Sequence, residues 1–226
     1  MNVKLLRGVV VLAALFMPWP LRRVFLNKLL GYKIDKTARI GFSWLCPIEL
    51  EMGSNSYIGH LNYCRGLALL RLEDSARIGN LNWISGHPIN SKEHYDGQTK
   101  RFPCLRLDAH SAVTNRHLVD CTDTVTIGAF ATLGGWRSQV LTHAIDFQVN
   151  LQVAAPVQVG AYCFVGTSCV LLPGSALPPY SILGASSLLM SSESEEYTLY
   201  AGVPAKPIKH LPTSLAYFSR TAGHVR

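Results

Sequence analysis

Aliphatic residues recur at every sixth position over long stretches of this chain. Val159, Val165, Leu171, Leu177, Leu183 and Leu189 hold the spacing without a miss. Four residues after the first five stand Cys163, Cys169, Ser175, Ser181 and Ser187, all small, and Gly160, Gly166 and Gly184 directly follow three of the aliphatics. An earlier run reads Ile34, Ile40, Cys46, Met52 and Ile58, with Gly41, Gly53 and Gly59 behind three of its members. Shorter runs are Leu72, Ile78 and Ile84; Leu107, Val113 and Val119; and Ile127 and Leu133. This period is neither that of a helix nor the strict alternation of a two-sided strand. It predicts an all-β solenoid of short parallel strands, each unit pointing one aliphatic residue inward and turning a corner on a small one. No unit buries its face alone, so stacked coils share one core. Glycine at the turns is expected to supply backbone angles that other residues resist. A β-sandwich would show alternation, with turns roughly every 8–12 residues.

Two polar segments interrupt the repeat, from His87 to Arg106 and from Arg137 to Pro156. Insertions in a solenoid map to one face and tend to carry function. Ahead of the repeat, Leu5, Val9, Leu12 and Phe16, then Leu21, Phe25 and Leu29, follow helical spacing, with Gly31 as a stop. The chain therefore divides into an amphipathic helical segment (1–31), a solenoid domain (32–209) and a tail (210–226).

Charge sharpens the picture of the N-terminus. Of the net +7, all is contributed by residues up to Arg39, where eight cations face the single anion Asp35; the remainder is neutral. A nucleic-acid binder would carry a basic stripe on its folded body, and none is evident. Cations beside apolar residues suit an anionic membrane surface. The apolar run Val9–Phe16 is short of the ~20 residues a spanning helix needs. An interfacial anchor, a packing helix and a secretory signal all fit this segment, although no small-x-small cleavage site follows it. Six cysteines without a CxxC pair read as reduced, buried thiols of a cytosolic protein.

Three local motifs carry a resemblance. Thr142-His143-Ala144-Ile145-Asp146 lies in the second insertion; Val157-Gln158-Val159-Gly160 through Phe164-Val165-Gly166-Thr167-Ser168 follows it; Ala201-Gly202-Val203-Pro204-Ala205-Lys206-Pro207-Ile208-Lys209 closes the repeat. With the period of six, they resemble the hexapeptide-repeat acyltransferases, and most nearly the sugar O-acetyltransferases of galactoside, maltose, exopolysaccharide and colanic-acid metabolism. The resemblance spans Ile34 to Lys209 and implies a left-handed parallel β-helix with N-terminal helices and two inserted loops, assembled as a homotrimer with active sites between subunits. It implies acetyl-CoA as acyl donor, a saccharide or nucleotide- or lipid-linked sugar as acceptor, and His143 as general base. Ala144 stands where the family usually has proline, which implies a less rigid loop, and Phe164 where it often has tryptophan. By the same resemblance, Thr167 and Ala185 contact the pantetheine arm through their backbone and Lys206 and Lys209 meet the coenzyme's phosphates, while Asp120 falls at an acidic acceptor-binding position.

The residues themselves are compatible with that chemistry. A thioester is already activated, so the enzyme must make a hydroxyl nucleophilic and stabilise an oxyanion. An imidazole with a reference pKa of about 6.5 suits the first task. Asp120 and Asn115 can accept or donate hydrogen bonds to sugar hydroxyls, or simply serve corner turns, and Trp136 can stack on a sugar ring or pack in an interface. His60, His87, His94, His210 and His224 lack comparable context and read as structural or solvated. Rival readings are an amino-sugar N-acetyltransferase, a non-catalytic membrane-associated scaffold of the same fold, and a zinc enzyme of the γ-carbonic-anhydrase type using His110, His117 and His143. No close histidine pair supports the last, and no metal is expected.

Overall fold

The computed structural model describes residues 3–89, 95 and 100–224, with side chains from residue 6 onward. His94 and most of the polar stretch after Ile89 lie outside it, as does the side chain of Leu5. Short strands stack in parallel into three flat faces. Face 1 runs through seven strands from Lys33–Ile34 to Ala176–Leu177; face 2 through nine from Arg39–Ile40 to Ala205–His210; face 3 through seven from Trp44–Cys46 to Leu188–Leu189. The chain visits the faces in turn, and every pairing between coils is parallel until the final hairpin, Thr198–Gly202 against Ala205–His210. This is a left-handed parallel β-helix with two N-terminal helices.

The six-residue period makes an 18-residue coil, as in the pairing of Lys33 with Glu51 and of Gln158 with Ala176. Between these ends the coil lengthens to 20 residues, Glu49 pairing with Leu69. The inward aliphatics from Val159 to Leu189 are all buried. Cys46 is the exception in the earlier run: Leu45 points inward and Cys46 is half-exposed, because the longer coil shifts the register by one residue on face 3. The six cysteines are free thiols.

The glycines work differently from the expectation. At most corners the left-handed residue comes later and is not glycine: Asn55, Leu61, Tyr162 and Ser168 have φ between 56° and 57°. Gly59 and Gly166 instead stand where coils touch. A Cβ on Gly59 would lie 2.4 Å from the Gly79 carbonyl oxygen, and one on Gly166 2.7 Å from the Ala185 nitrogen. One corner column of left-handed residues is aromatic, with His110, Phe130, Tyr162, Tyr180 and Tyr197 stacked in sequence. The tail folds back over this column through the 3-10 turn Ala216–Phe218, and Arg220 sits 3.8 Å from the Tyr217 ring centroid.

Helices α1 (Val3–Leu15) and α2 (Trp19–Leu30) pack on the first coils, and α2 ends on left-handed Gly31. Among the described side chains of the predicted apolar stripe, all but Phe25, which packs against the core, face outward. Val9, Leu12, Phe16, Leu21 and Leu29 are exposed, Phe16 by 77%, whereas Val11, Ala14, Arg22 and Leu26 are buried. Both sides of α1 are apolar, so periodicity alone does not choose the face. The inward side carries Val11 and fully buried Ala14, and Gly8 faces Trp44, whose ring a Cβ added there would meet at 3.6 Å, an ordinary contact. The cations are also partly committed. Buried Arg22 donates to the carbonyls of Ile40, Gly41 and Ser43, Arg23 to that of Ile34, and Arg7 to those of Pro47 and Ile48. Among the described residues, no helix is long and apolar enough to cross a membrane.

Both insertions leave from the corner between faces 3 and 1. The first separates Trp83–Ser85 from Cys104–Leu107. The second is a β-hairpin, His143–Asp146 against Leu151–Ala154; Gln139–Val140, expected within it, belongs to face 3.

Candidate active site

His143 opens the hairpin at its junction with the solenoid. It pairs with Ala154, and Ala155 N–H donates to the Thr142 carbonyl at 2.9 Å, so the hairpin stem is fastened beside the coil. Ala144 lies within this ladder opposite Val153. The imidazole Nδ1 lies 2.8 Å from Asp120 Oδ2, and its side chain remains 37% exposed against 9% for that of the aspartate. Asp120 ends the face 3 strand Leu118–Asp120 and is held from several sides. Oδ1 accepts from Thr122 N–H (3.2 Å) and Oγ1 (2.7 Å); Oδ2 accepts from Thr142 N–H (2.8 Å), with Thr142 Oγ1 also at 2.8 Å.

This environment fixes the charges. Burial pushes the Asp120 carboxyl up, but hydrogen bonds from His143, Thr122 and Thr142 outweigh it and hold it at about 2. The hydrogen bond to Asp120 in turn raises His143 above its ordinary value, while partial burial pulls it down. With Nδ1–H on the carboxylate, Nε2 carries the free lone pair. An ionised carboxylate thus orients an imidazole that can accept a proton at an open surface. Both carboxylate oxygens of Asp120, singled out as an acceptor-binding candidate, already accept from protein donors and hold the imidazole.

The first insertion supplies neighbours that the sequence reading passed over. The ring of His87 stands edge-on to His143 at 5.9 Å and tilted to Tyr95 at 5.5 Å. Arg101, only 3% exposed, pins this wall: it donates to the carbonyls of His87 (2.7 Å), Pro88 (2.5 Å) and Thr122 (3.1 Å) and lies 4.4 Å over the Tyr95 ring. No signal within one sequence would reveal these contacts, which join segments on either side of an irregular loop. Asp146 is placed away from the imidazole, and its Oδ1 accepts from Gln148 N–H in the hairpin turn (2.9 Å).

The remaining predicted residues gather elsewhere. Asn115, Trp136, Thr167 and Ala185 line up on the corner between faces 2 and 3, on successive coils. Asn115 pairs with Trp136, Trp136 N–H donates to Thr167 Oγ1 (3.0 Å), and Ser186 N–H to the Thr167 carbonyl (2.9 Å). Asn115 is a corner residue whose Oδ1 accepts from Asn80 N–H at 2.7 Å. Within one chain this row lies across face 3 from the Asp120–His143 pair. Lys206 and Lys209 are exposed on the last strand, beyond the row. His117 is 2% exposed, with Nε2 on Thr114 Oγ1 (2.9 Å) and Nδ1 accepting from Ser138 N–H (3.2 Å). Burial lowers its pKa to about 4, which makes it a neutral bracket between coils. His110 is stacked on Phe130. Among the described residues no three His, Cys, Asp or Glu side chains converge as metal ligands would.

Solved structures of similar architecture include acyltransferases. The polysialic acid O-acetyltransferase OatWY aligns over 84% of this chain and 90% of its own, at 16% identity and a TM-score of 0.59. The chain has the fold of the hexapeptide-repeat acyltransferases. A mutant of AntD, an N-acyltransferase from Bacillus cereus in complex with dTDP-4-amino-4,6-dideoxyglucose and coenzyme A, aligns over 87% and 92% of the two chains at 16% identity, TM-score 0.56. A hexapeptide-repeat acetyltransferase from Vibrio cholerae complexed with acetyl coenzyme A covers 92% of this chain and 87% of its own at 14% identity, TM-score 0.50. No family model and no curated protein matches the sequence. At these identities the likeness is one of fold, so the chemistry rests on the site itself.

Proposed function

We propose that the protein moves an acetyl group from acetyl-CoA to a hydroxyl of a saccharide in the synthesis of an exopolysaccharide or other surface glycan, with His143 as general base. The observation that carries this is the Asp120–His143 pair on an open hairpin stem. His143 Nε2 takes the acceptor's O–H proton as the oxygen attacks the thioester carbonyl. The new C–O bond forms, the oxyanion collapses with cleavage of C–S, and the departing thiolate receives the proton from the imidazolium. Asp120 stabilises that imidazolium while it exists. No acyl-enzyme is required. A hydroxyl, with its high pKa, needs such a base, which favours O- over N-transfer.

Thr167, Ala185, Lys206 and Lys209 are the residues proposed to hold the coenzyme, the lysines as charges for its phosphates, while Asn115 and Trp136 on the same corner are proposed to meet the acceptor. Support comes from neighbours of this fold whose structures contain coenzyme A or acetyl coenzyme A. Because that row and His143 sit across face 3 from each other in one chain, a site using both needs a second copy. Heterologous packing of flat faces that closes after three gives a homotrimer. The outward apolar side of α1 and α2 would let the assembly rest on the cytoplasmic face of a membrane. The direct test is thiol release from acetyl-CoA across a panel of oligosaccharides, amino sugars and nucleotide sugars. Release dependent on a hydroxyl acceptor supports the reading; release only with amino sugars would replace it with N-transfer.

A further inference from the structure

A groove of about 490 Å³ runs between α1 and face 3 and ends at the first insertion, within the range of small-ligand sites. Its wall is aromatic. Trp44 and Tyr63 line it as register neighbours on face 3, and Trp83, next in the row, lies just beyond the lining with its ring tilted against Tyr63 at 4.4 Å. Its charge is one-sided. Arg7 and Arg65 line it, no acidic residue does, and among the described residues neither arginine forms an ion pair. Arg7 uses Nη2 on backbone carbonyls, and Arg65 has only a 3.4 Å contact to Tyr63 Oη. At its far end Gly86 and Pro88 line the groove on either side of His87, whose ring faces His143.

We propose that this groove is an extended acceptor subsite that takes an elongated saccharide bearing a negative group remote from the acylated hydroxyl. The inference rests on the acyl-transfer reading and adds the class of acceptor. Trp44, Tyr63 and Trp83 sit on adjacent strands spaced ~4.8 Å apart, a platform on which the C–H faces of successive sugar rings pack. The strand of Trp44 is three such spacings, roughly 14 Å, from the strand that carries Asp120. A monosaccharide cannot span that distance, and arginines without an acidic partner beside aromatic rings select against a neutral ligand. The charge has two sources of equivalent chemistry, a carboxylate along the glycan or a diphosphate at its end.

Calorimetric titration without acetyl-CoA tests the proposal apart from catalysis. The probes are a set of acidic oligosaccharides (uronic and sialic acid oligomers), a set of nucleoside-diphosphate sugars, and neutral oligosaccharides of matched length. The proteins are wild type, His143→Ala, Arg65→Ala and Tyr63→Ala. Binding of an acidic probe, weakened about tenfold by Arg65→Ala and by Tyr63→Ala but unchanged by His143→Ala, is expected; the set that binds identifies the charge. Loss of transfer in His143→Ala with binding intact keeps the two readings separable. Equal affinity for neutral probes, indifference to both groove substitutions, or no binding by any probe would overturn the proposal. So would a change of sedimentation in Tyr63→Ala with no glycan binding, which would make the groove a contact between copies.

Discussion

Asp120→Asn removes one negative charge from the site and little else in volume. Three things should then change together. The imidazolium formed during transfer loses a charge-assisted hydrogen bond of 2.8 Å, an interaction of roughly 1.5–3 kcal/mol. At 1.36 kcal/mol per tenfold in rate, kcat should fall about 10- to 150-fold. Second, only neutral His143 accepts a proton, and Asp120 raises its pKa. The acid limb of the rate profile therefore lies above the ordinary histidine value in the wild type and moves down in the variant. Third, a carboxyl with a depressed native pKa stabilises the fold above its unfolded value near 3.9, and this contribution disappears as pH falls towards 2. The variant should lack that part of the acid destabilisation and melt lower at neutral pH, since an amide cannot accept from every donor around Asp120. The assay is thiol release from acetyl-CoA against pH at saturating acceptor, with a thermal melt of each protein. A folded variant with kcat within twofold of wild type and an unmoved acid limb would refute the orienting role.

Other consequences are more local. Leu133 is fully buried between coils, so Leu133→Ala should cost about 2–5 kcal/mol, read by denaturant titration; a loss under 1 kcal/mol would argue against a shared, close-packed core. Phe16→Glu with Leu12→Glu should reduce flotation with phosphatidylglycerol vesicles while leaving the melting temperature near wild type, because both side chains point outward. Equal partitioning of variant and wild type would remove membrane contact from the account.

The fold was legible because each coil repeats one demand. An inward aliphatic and a small corner residue every six positions leave few architectures that bury them all, and Val159 through Leu189 lie where that logic puts them. What escaped was whatever the period does not encode. Coils of 20 residues shift the register, so Leu45 replaces Cys46 inside. An α1 apolar on both sides does not say which face packs; in the structure it is the side of Gly8, Val11 and Ala14. The same holds for the site. His143 could be singled out because the Thr142–Asp146 motif around it resembles the catalytic loop of the hexapeptide-repeat acyltransferases, but Asp120, Thr122 and Arg101 meet it or its wall only through coil stacking. Asn115 and Trp136 read with Asp120 as candidates for the sugar, yet a strand of three residues, Leu118–Asp120, carries the backbone from one corner to the next.

The central claim is that His143 removes the acceptor proton, and the most direct measurement compares wild type with His143→Ala in acceptor-dependent thiol release while coenzyme A binding is followed in parallel. The account predicts a 10²–10⁴-fold loss of kcat, as expected for a general base, with coenzyme affinity unchanged because the proposed coenzyme residues lie on another corner. Release by His143→Ala at the wild-type rate would contradict it.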